Sequence, residues 1–286
     1  ISHGSFSTQI YAVLMLDEND PWLIVPIADL PTIYESGNSL DRVIPYGNFF
    51  FEYFDDSYLS QKIKTLANEA FPDAVQALSF LLNNQLGQAA KVGIDRGNLG
   101  FENWEQIREQ LAPREFILAE SLLYRVRQIK EAIEIEYLEK AAEIAEESLM
   151  TSLKLLKPGM SENQAKNIFE NQVLKKGADN LFAVFTFGER AAFVDTYATS
   201  LLLKYGDVIR CDVGCSFKGY KSDLSRTAVM GKPNDKIRKY YESVLVGQKK
   251  AIMSIKPGVE VSQLFQNAME GTKNAGLSHY SRVHCG

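Results

Sequence analysis

The chain has few of the residues that would place it outside the reducing interior of a cell or against a charged polymer. Its three cysteines, Cys211, Cys215 and Cys285, are too few and too clustered for a disulfide framework. A reducing, cytoplasmic setting is the expectation they support. No apolar run approaches the roughly 20 residues needed to cross a bilayer, so no membrane partner is expected. There is no excess of positive charge: 31 basic residues stand against 36 acidic ones, a net charge of −5, which leaves no electrostatic footprint for nucleic acid or an anionic membrane. The chain opens on isoleucine and no basic-then-apolar leader follows Ile1, which leaves open a leader on residues preceding it. Histidine is scarce as well, and His3 reads as an exposed residue with no companion for catalysis.

What is present suits two globular domains. With 286 residues, 45% of them apolar, the chain can bury two separate cores. The first domain is assigned to residues 1–125. Apolar runs at 11–16 and 22–26 flank a polar turn, Asp17-Glu18-Asn19-Asp20, and read as a strand pair. Residues 59–86 carry helical patterning that Pro72 should break in two. A strand at 91–95, a helix at 102–111 and a strand at 114–119 complete a small α/β unit with a mixed or parallel sheet.

The second domain is assigned to residues 126–286. A charged stretch at 124–130 leads into a long helix whose apolar positions, Ile135, Leu138, Ala142, Ala145 and Leu149, recur at three- and four-residue steps. Leu156-Lys157-Pro158-Gly159 ends it and is echoed by Ile255-Lys256-Pro257-Gly258, an offset of 99 residues. The same offset carries Leu138 onto Ile237, Ala145 onto Val244, Leu153 onto Ile252 and Gly177 onto Gly276. Each copy reads as helix, Lys-Pro-Gly turn, second helix, glycine stop and strand, a unit duplicated once. The first copy continues through strands to Met230, whereas the second reaches Gly286, so the expectation is of a repeat cut before its second set of strands.

The first copy contains the chemistry. Residues 206–215 read as a strand and 220–230 as its hairpin partner, joined through Phe217-Lys218-Gly219-Tyr220. A two-residue loop at Lys218-Gly219 sets Asp212 opposite Ser225 with Asp223 as a diagonal neighbour; a loop one residue earlier sets Asp212 opposite Asp223. Either register puts both carboxylates on one face. Two carboxylates so close repel unless a proton or a cation lies between them, and such hard oxygen donors suit divalent Mn, Co, Fe or Mg. Solvated aspartates on an open sheet face would satisfy the same spacing.

Residues 206–231, Gly-Asp-Val-Ile-Arg-Cys-Asp-Val-Gly through Gly-Tyr-Lys-Ser-Asp-Leu-Ser-Arg-Thr-Ala-Val-Met-Gly, closely resemble the signature of the Xaa-Pro aminopeptidase, prolidase and methionine aminopeptidase family. Residues 127–130 are similar to the start of the catalytic domain in Xaa-Pro peptidases, and the segment before them to the N-terminal domain. The resemblance implies an α/β (α+β) architecture, with a small N-terminal α/β domain followed by an incomplete pita-bread domain built on an internal pseudo-twofold repeat. It implies two divalent metal ions, manganese first with cobalt or iron as alternatives, and Asp212 and Asp223 as metal ligands. It also implies a peptide or small amide substrate cut near its N-terminus, and a homodimer.

Two departures from the family pattern stand out. The family's remaining ligands, a histidine and two glutamates, are expected after residue 286. His284 and Cys285 resemble the approach to that histidine rather than ligands, so no catalytic residue is assigned within the chain. Relatives offer a substrate-facing histidine where this sequence has Asp195, which would favour a cationic group on the substrate or bond its own backbone in an Asx-type turn. The rival readings are a creatinase-like amidinohydrolase without metals, which retention of both aspartates opposes, and a non-catalytic binding scaffold.

Overall fold

The computed structural model describes residues 9–37, 39–53, 57–87, 89–97, 99–194 and 196–283. The chain divides into two compact units, 1–131 and 132–286.

In the first unit, strand β1 (Tyr11–Val13) pairs antiparallel with β2 (Trp22–Pro26), which pairs in parallel with β3 (Val43–Tyr46). Helix α1 (Leu30–Glu35) lies in the crossover between β2 and β3. Helices α2 (Tyr58–Asn68) and α3 (Ala74–Gln85) follow, interrupted around Pro72 as the sequence predicts and restarted by Asp73, whose carboxylate accepts from the Gln76 amide. Strand β4 (Val92–Ile94), helix α4 (Phe101–Gln110) and the parallel strand β5 (Phe116–Leu118) form a βαβ unit, and α5 (Glu120–Gln128) closes the domain. The central strand β2 is buried on both sides. Ile24 joins Leu78, Leu81 and Leu82 of α3, while Leu23 and Val25 join Ile63 of α2, so the sheet is sandwiched between helices. Residues 27–46 carry no motif that announces α1 or β3.

The second unit opens with α6 (Ala132–Leu155) and α7 (Glu162–Lys175). Strand β6 (Asp179–Phe187) then pairs antiparallel with β7 (Val208–Phe217), whose other edge carries β8 (Tyr220–Lys221) and β9 (Leu224–Val229). Helices α8 (Asp235–Met253) and α9 (Val261–Asn274) follow. Alternation along β7 divides its side chains. Ile209, Cys211, Val213 and Cys215 enter a core with Phe185 and Phe187 of β6, Ile144 and Leu149 of α6 and Phe169 of α7. Each of these large side chains contributes roughly 1.5–3 kcal/mol by leaving water. Arg210 and Asp212 therefore project from the opposite face.

The offset of 99 reappears in the backbone. Helix α7 begins at 162 and ends at 175, and α9 begins at 261 and ends at 274. Gly159 and Gly258, and likewise Gly177 and Gly276, share positive φ. Two sequence expectations are corrected. The buried seam of α6 runs through Ala141, Ile144, Ala145, Ser148, Leu149 and Ser152, whereas Ile135 and Ala142 are exposed. Small residues let α6 lie close against β7, and the seam passes one position before Ala142. After Gly276 the described residues 277–283 form a turn, closed by the Tyr280 amide on the Leu277 carbonyl, and not the expected strand. A strand is stabilised by a partner, and none lies beside this segment among the described residues.

Candidate metal centre

The β7–β9 hairpin sets the geometry. Phe217 pairs with Tyr220 across a two-residue loop in which Lys218 and Gly219 both have positive φ, 52° and 84°. This is the combination that matches the twist of a tight hairpin. The register follows the first of the two predicted arrangements: Asp212 lies opposite Ser225 and Val213 opposite Leu224. Ser222 and Asp223 interrupt the ladder between β8 and β9. The Ser222 amide still donates to the Cys215 carbonyl at 2.9 Å, and its hydroxyl accepts from the Cys215 amide at 3.1 Å. Gly214 makes this possible, because a Cβ there would come within 2.3 Å of the Ser222 carbonyl oxygen and 2.5 Å of the Phe182 ring.

Both oxygens of Asp212 are engaged. Oδ2 accepts from Arg210 Nη2 at 2.8 Å, and Oδ1 accepts from Ser225 Oγ at 3.1 Å. Asp223 has its carboxyl pushed above the usual range, first by burial and then by the negative charge of Asp212. Two carboxylates near each other repel unless a proton or a cation lies between them. The donor set consists of hard oxygens and fits part of a divalent-ion site. Among the described residues, no group of three or more histidine, cysteine, aspartate or glutamate side chains is gathered to hold a metal.

The segment leading into β7 is fastened by a residue the sequence reading did not single out. Glu162 opens α7, where Ser161 forms a capping box with Gln164, and its side chain is fully buried. Its Oε1 accepts from the Phe187 amide at 3.0 Å and Arg190 Nε at 3.1 Å; its Oε2 accepts from the Thr199 amide at 2.8 Å and the Thr199 hydroxyl at 2.6 Å. Arg190 also donates to the Tyr197 carbonyl at 2.7 Å. Arg210 connects this segment to the hairpin, since its Nη1 donates to the Phe193 carbonyl at 3.2 Å. Strand parity would have found Arg210, two residues before Asp212. An acid in the first turn of a helix carries no sign that it is buried.

Asp195, His3, His284 and Cys285 lie outside the described residues. Cys211 and Cys215 are buried free thiols; burial pushes both upward, and Cys215 is further held by its contacts with Ser222 and the Ala141 carbonyl. No helix among the described residues is long and apolar enough to cross a membrane.

Residues 136–286 match the metallopeptidase family M24. The chain belongs to that family. An Xaa-Pro dipeptidase of Pyrococcus furiosus is 32% identical over 191 residues, covering 66% of this chain and 55% of the relative. An Xaa-Pro dipeptidase of Pyrococcus horikoshii is 30% identical over 178 residues, covering 62% and 51%. The chain thus spans about half the length of the curated M24 relatives it matches. Among solved structures, an X-Pro aminopeptidase of Thermotoga maritima superposes with a TM-score of 0.77 at 21% identity, over 94% of this chain and 70% of that one. The prolidase of Pyrococcus furiosus gives 0.70 at 26% identity, with the same coverages of 94% and 70%. The expected α/β architecture with a pita-bread catalytic fold is therefore the observed one.

Proposed function

We propose that Asp212 and Asp223 are ligands of a two-ion centre in a peptidase that cuts near the N-terminus of peptides, of the Xaa-Pro aminopeptidase or dipeptidase type. The observation carrying this reading is the hairpin register, which sets Asp212 opposite Ser225 and places Asp223 next to Leu224 at the end of the ladder, with the Asp223 carboxyl raised first by burial and then by the Asp212 charge. When bound, paired divalent ions polarise an amide carbonyl and lower the pKa of water enough for attack at neutral pH. Ser225 and Arg210 hold the Asp212 carboxylate from both sides, which limits its rotamers and aims it. The Glu162 network keeps the segment before β7 in register with that face.

Manganese is the first candidate ion, with cobalt and iron next, as hard oxygen donors allow. The substrate is a peptide or small amide, and a homodimer in the cytoplasm is the proposed assembly and setting. Asp195 is proposed to select a cationic group on the substrate and to leave metal binding unaffected. The 286-residue chain alone is proposed to bind metal weakly and to hydrolyse little, because two carboxylates leave most of a coordination sphere to water.

The test is metal analysis of the full-length protein together with hydrolysis of a panel of Xaa-Pro and non-proline dipeptides, with Asp195→Asn alongside. Metal-dependent cleavage of Xaa-Pro substrates is expected, with only the preference for cationic substrates falling in the variant. Full-length protein that binds no divalent ion and cleaves no member of the panel would favour the scaffold reading.

A further inference from the structure

Alternation along β7 puts a fixed positive charge on the same face as the candidate ligands. Arg210 precedes Asp212 by two residues, its guanidinium donating through Nη2 to Asp212 Oδ2 at 2.8 Å and through Nη1 to the Phe193 carbonyl at 3.2 Å. The two side chains are only 20% and 24% exposed, so solvent screens this pair less than a surface one. Directly across the two ladders from Arg210 stand Thr186 of β6 and Thr227 of β9, neither of them acidic. The Thr186 hydroxyl is buried and without a hydrogen-bond partner. Among the described residues the carboxylate that Arg210 pairs with is therefore the one expected to meet a metal ion. A guanidinium does not lose its proton in proteins, so the charge is permanent.

Two physical effects of Arg210 on a divalent ion oppose each other. As a hydrogen-bond donor it orients Asp212, and outer-shell donors of this kind favour metal binding. As a cation it repels the ion and shares the carboxylate with it. We infer that the second effect wins: Arg210 is a resident counter-ion that steadies the Asp212–Asp223 pair in the absence of metal and lowers its affinity for divalent cations. Through the Phe193 carbonyl, the same side chain links occupancy of Asp212 to the position of the segment before β7. The inference rests on the metal-ligand reading of Asp212 and Asp223.

The two effects separate by substitution. Arg210→Gln keeps an amide donor and removes the charge, whereas Arg210→Lys keeps the charge. Mn2+ titration followed by the loss of the free-ion EPR signal would be run on the chain and on R210Q, R210K, D212N, D223N and the R210Q/D212N double variant. R210Q is expected to bind Mn2+ about tenfold more tightly, the partial exposure of the pair holding the gain to that order. R210K should match the parent, and the gain should vanish in the double variant. Without metal, R210Q should melt below the parent, and Mn2+ should raise its Tm by more than it raises the parent's. R210Q that refolds in excess Mn2+ and not in chelator is the extreme form of the expected result; failure to fold in both conditions overturns the inference. Equal or weaker Mn2+ binding by R210Q, with binding reduced in D212N and D223N, overturns the counter-ion role and leaves the metal site standing. Parent, D212N and D223N binding alike would remove the metal reading and the inference with it.

Discussion

Replacing Glu162 tests how the segment before β7 is held. The buried carboxylate accepts from the amides of Phe187 and Thr199, the Thr199 hydroxyl and Arg190 Nε. Glu162→Ala leaves the buried Phe187 N–H without a partner, at about 1–3 kcal/mol, takes the acceptor from the part-buried Thr199 N–H at a smaller cost, and removes the counter-charge of Arg190. Arg190 is 30% exposed and can recover solvent, so its share is discounted, and the contributions of one network do not simply add. The expected loss is about 3–5 kcal/mol, a large part of the stability of an ordinary domain. Glu162→Gln keeps one acceptor but turns an NH2 toward donors, for an expected loss of about 2–4 kcal/mol. Urea unfolding read by far-UV circular dichroism gives the magnitude. The fluorescence of Trp22 and Trp104, both in the first unit, provides an internal reference. Amide exchange over residues 187–199 gives the locality, and protection there should fall first. A loss below about 1 kcal/mol with unchanged exchange over that stretch would refute the argument that this carboxylate fastens it.

Three further outcomes follow from the hairpin. Gly214→Ala drives a methyl group into the Ser222 carbonyl and the Phe182 ring, and should cost about 1–3 kcal/mol while weakening Mn2+ binding; a variant with parent-like Tm and affinity would show that the strand relaxes freely. Lys218 holds positive φ without being glycine, so Lys218→Gly should raise stability by up to about 1 kcal/mol in denaturant unfolding, and a loss would contradict the turn assignment. Because the Asp223 carboxyl is raised in the folded state, its favourable contribution is complete below the ordinary carboxylate range and is lost as pH rises through the folded value. Asp223→Asn in chelator should therefore melt above the parent at pH 7, with the gap closing toward pH 3; a gap independent of pH would remove the coupling.

How much of this was legible in the sequence depended on how local the signal was. The duplicated helix pair was readable because its stops are local, Lys-Pro-Gly and a later glycine, and both copies keep positive φ at those glycines. The hairpin register was narrowed to two choices by parity, and the positive φ of Lys218 and Gly219 selected one. The seam of α6 departs from the expected one because Ala141 and Ala142 look alike in sequence, and only packing against β7 distinguishes them. The strand expected after Gly276 failed for the same kind of reason, since pairing and not composition makes a strand. Glu162 was invisible because its partners lie 25 to 37 residues away and an acid in a first helical turn usually faces water.

The most direct test of the account is Mn2+ binding by the 286-residue chain, compared with Asp212→Asn and Asp223→Asn. The account predicts weak binding that does not survive dialysis and falls in each variant, because two carboxylates share the ion and neither suffices alone. Stoichiometric metal retained through dialysis would show that the ligands lie elsewhere, and binding unaffected by both substitutions would contradict the carboxylate pair as a metal centre.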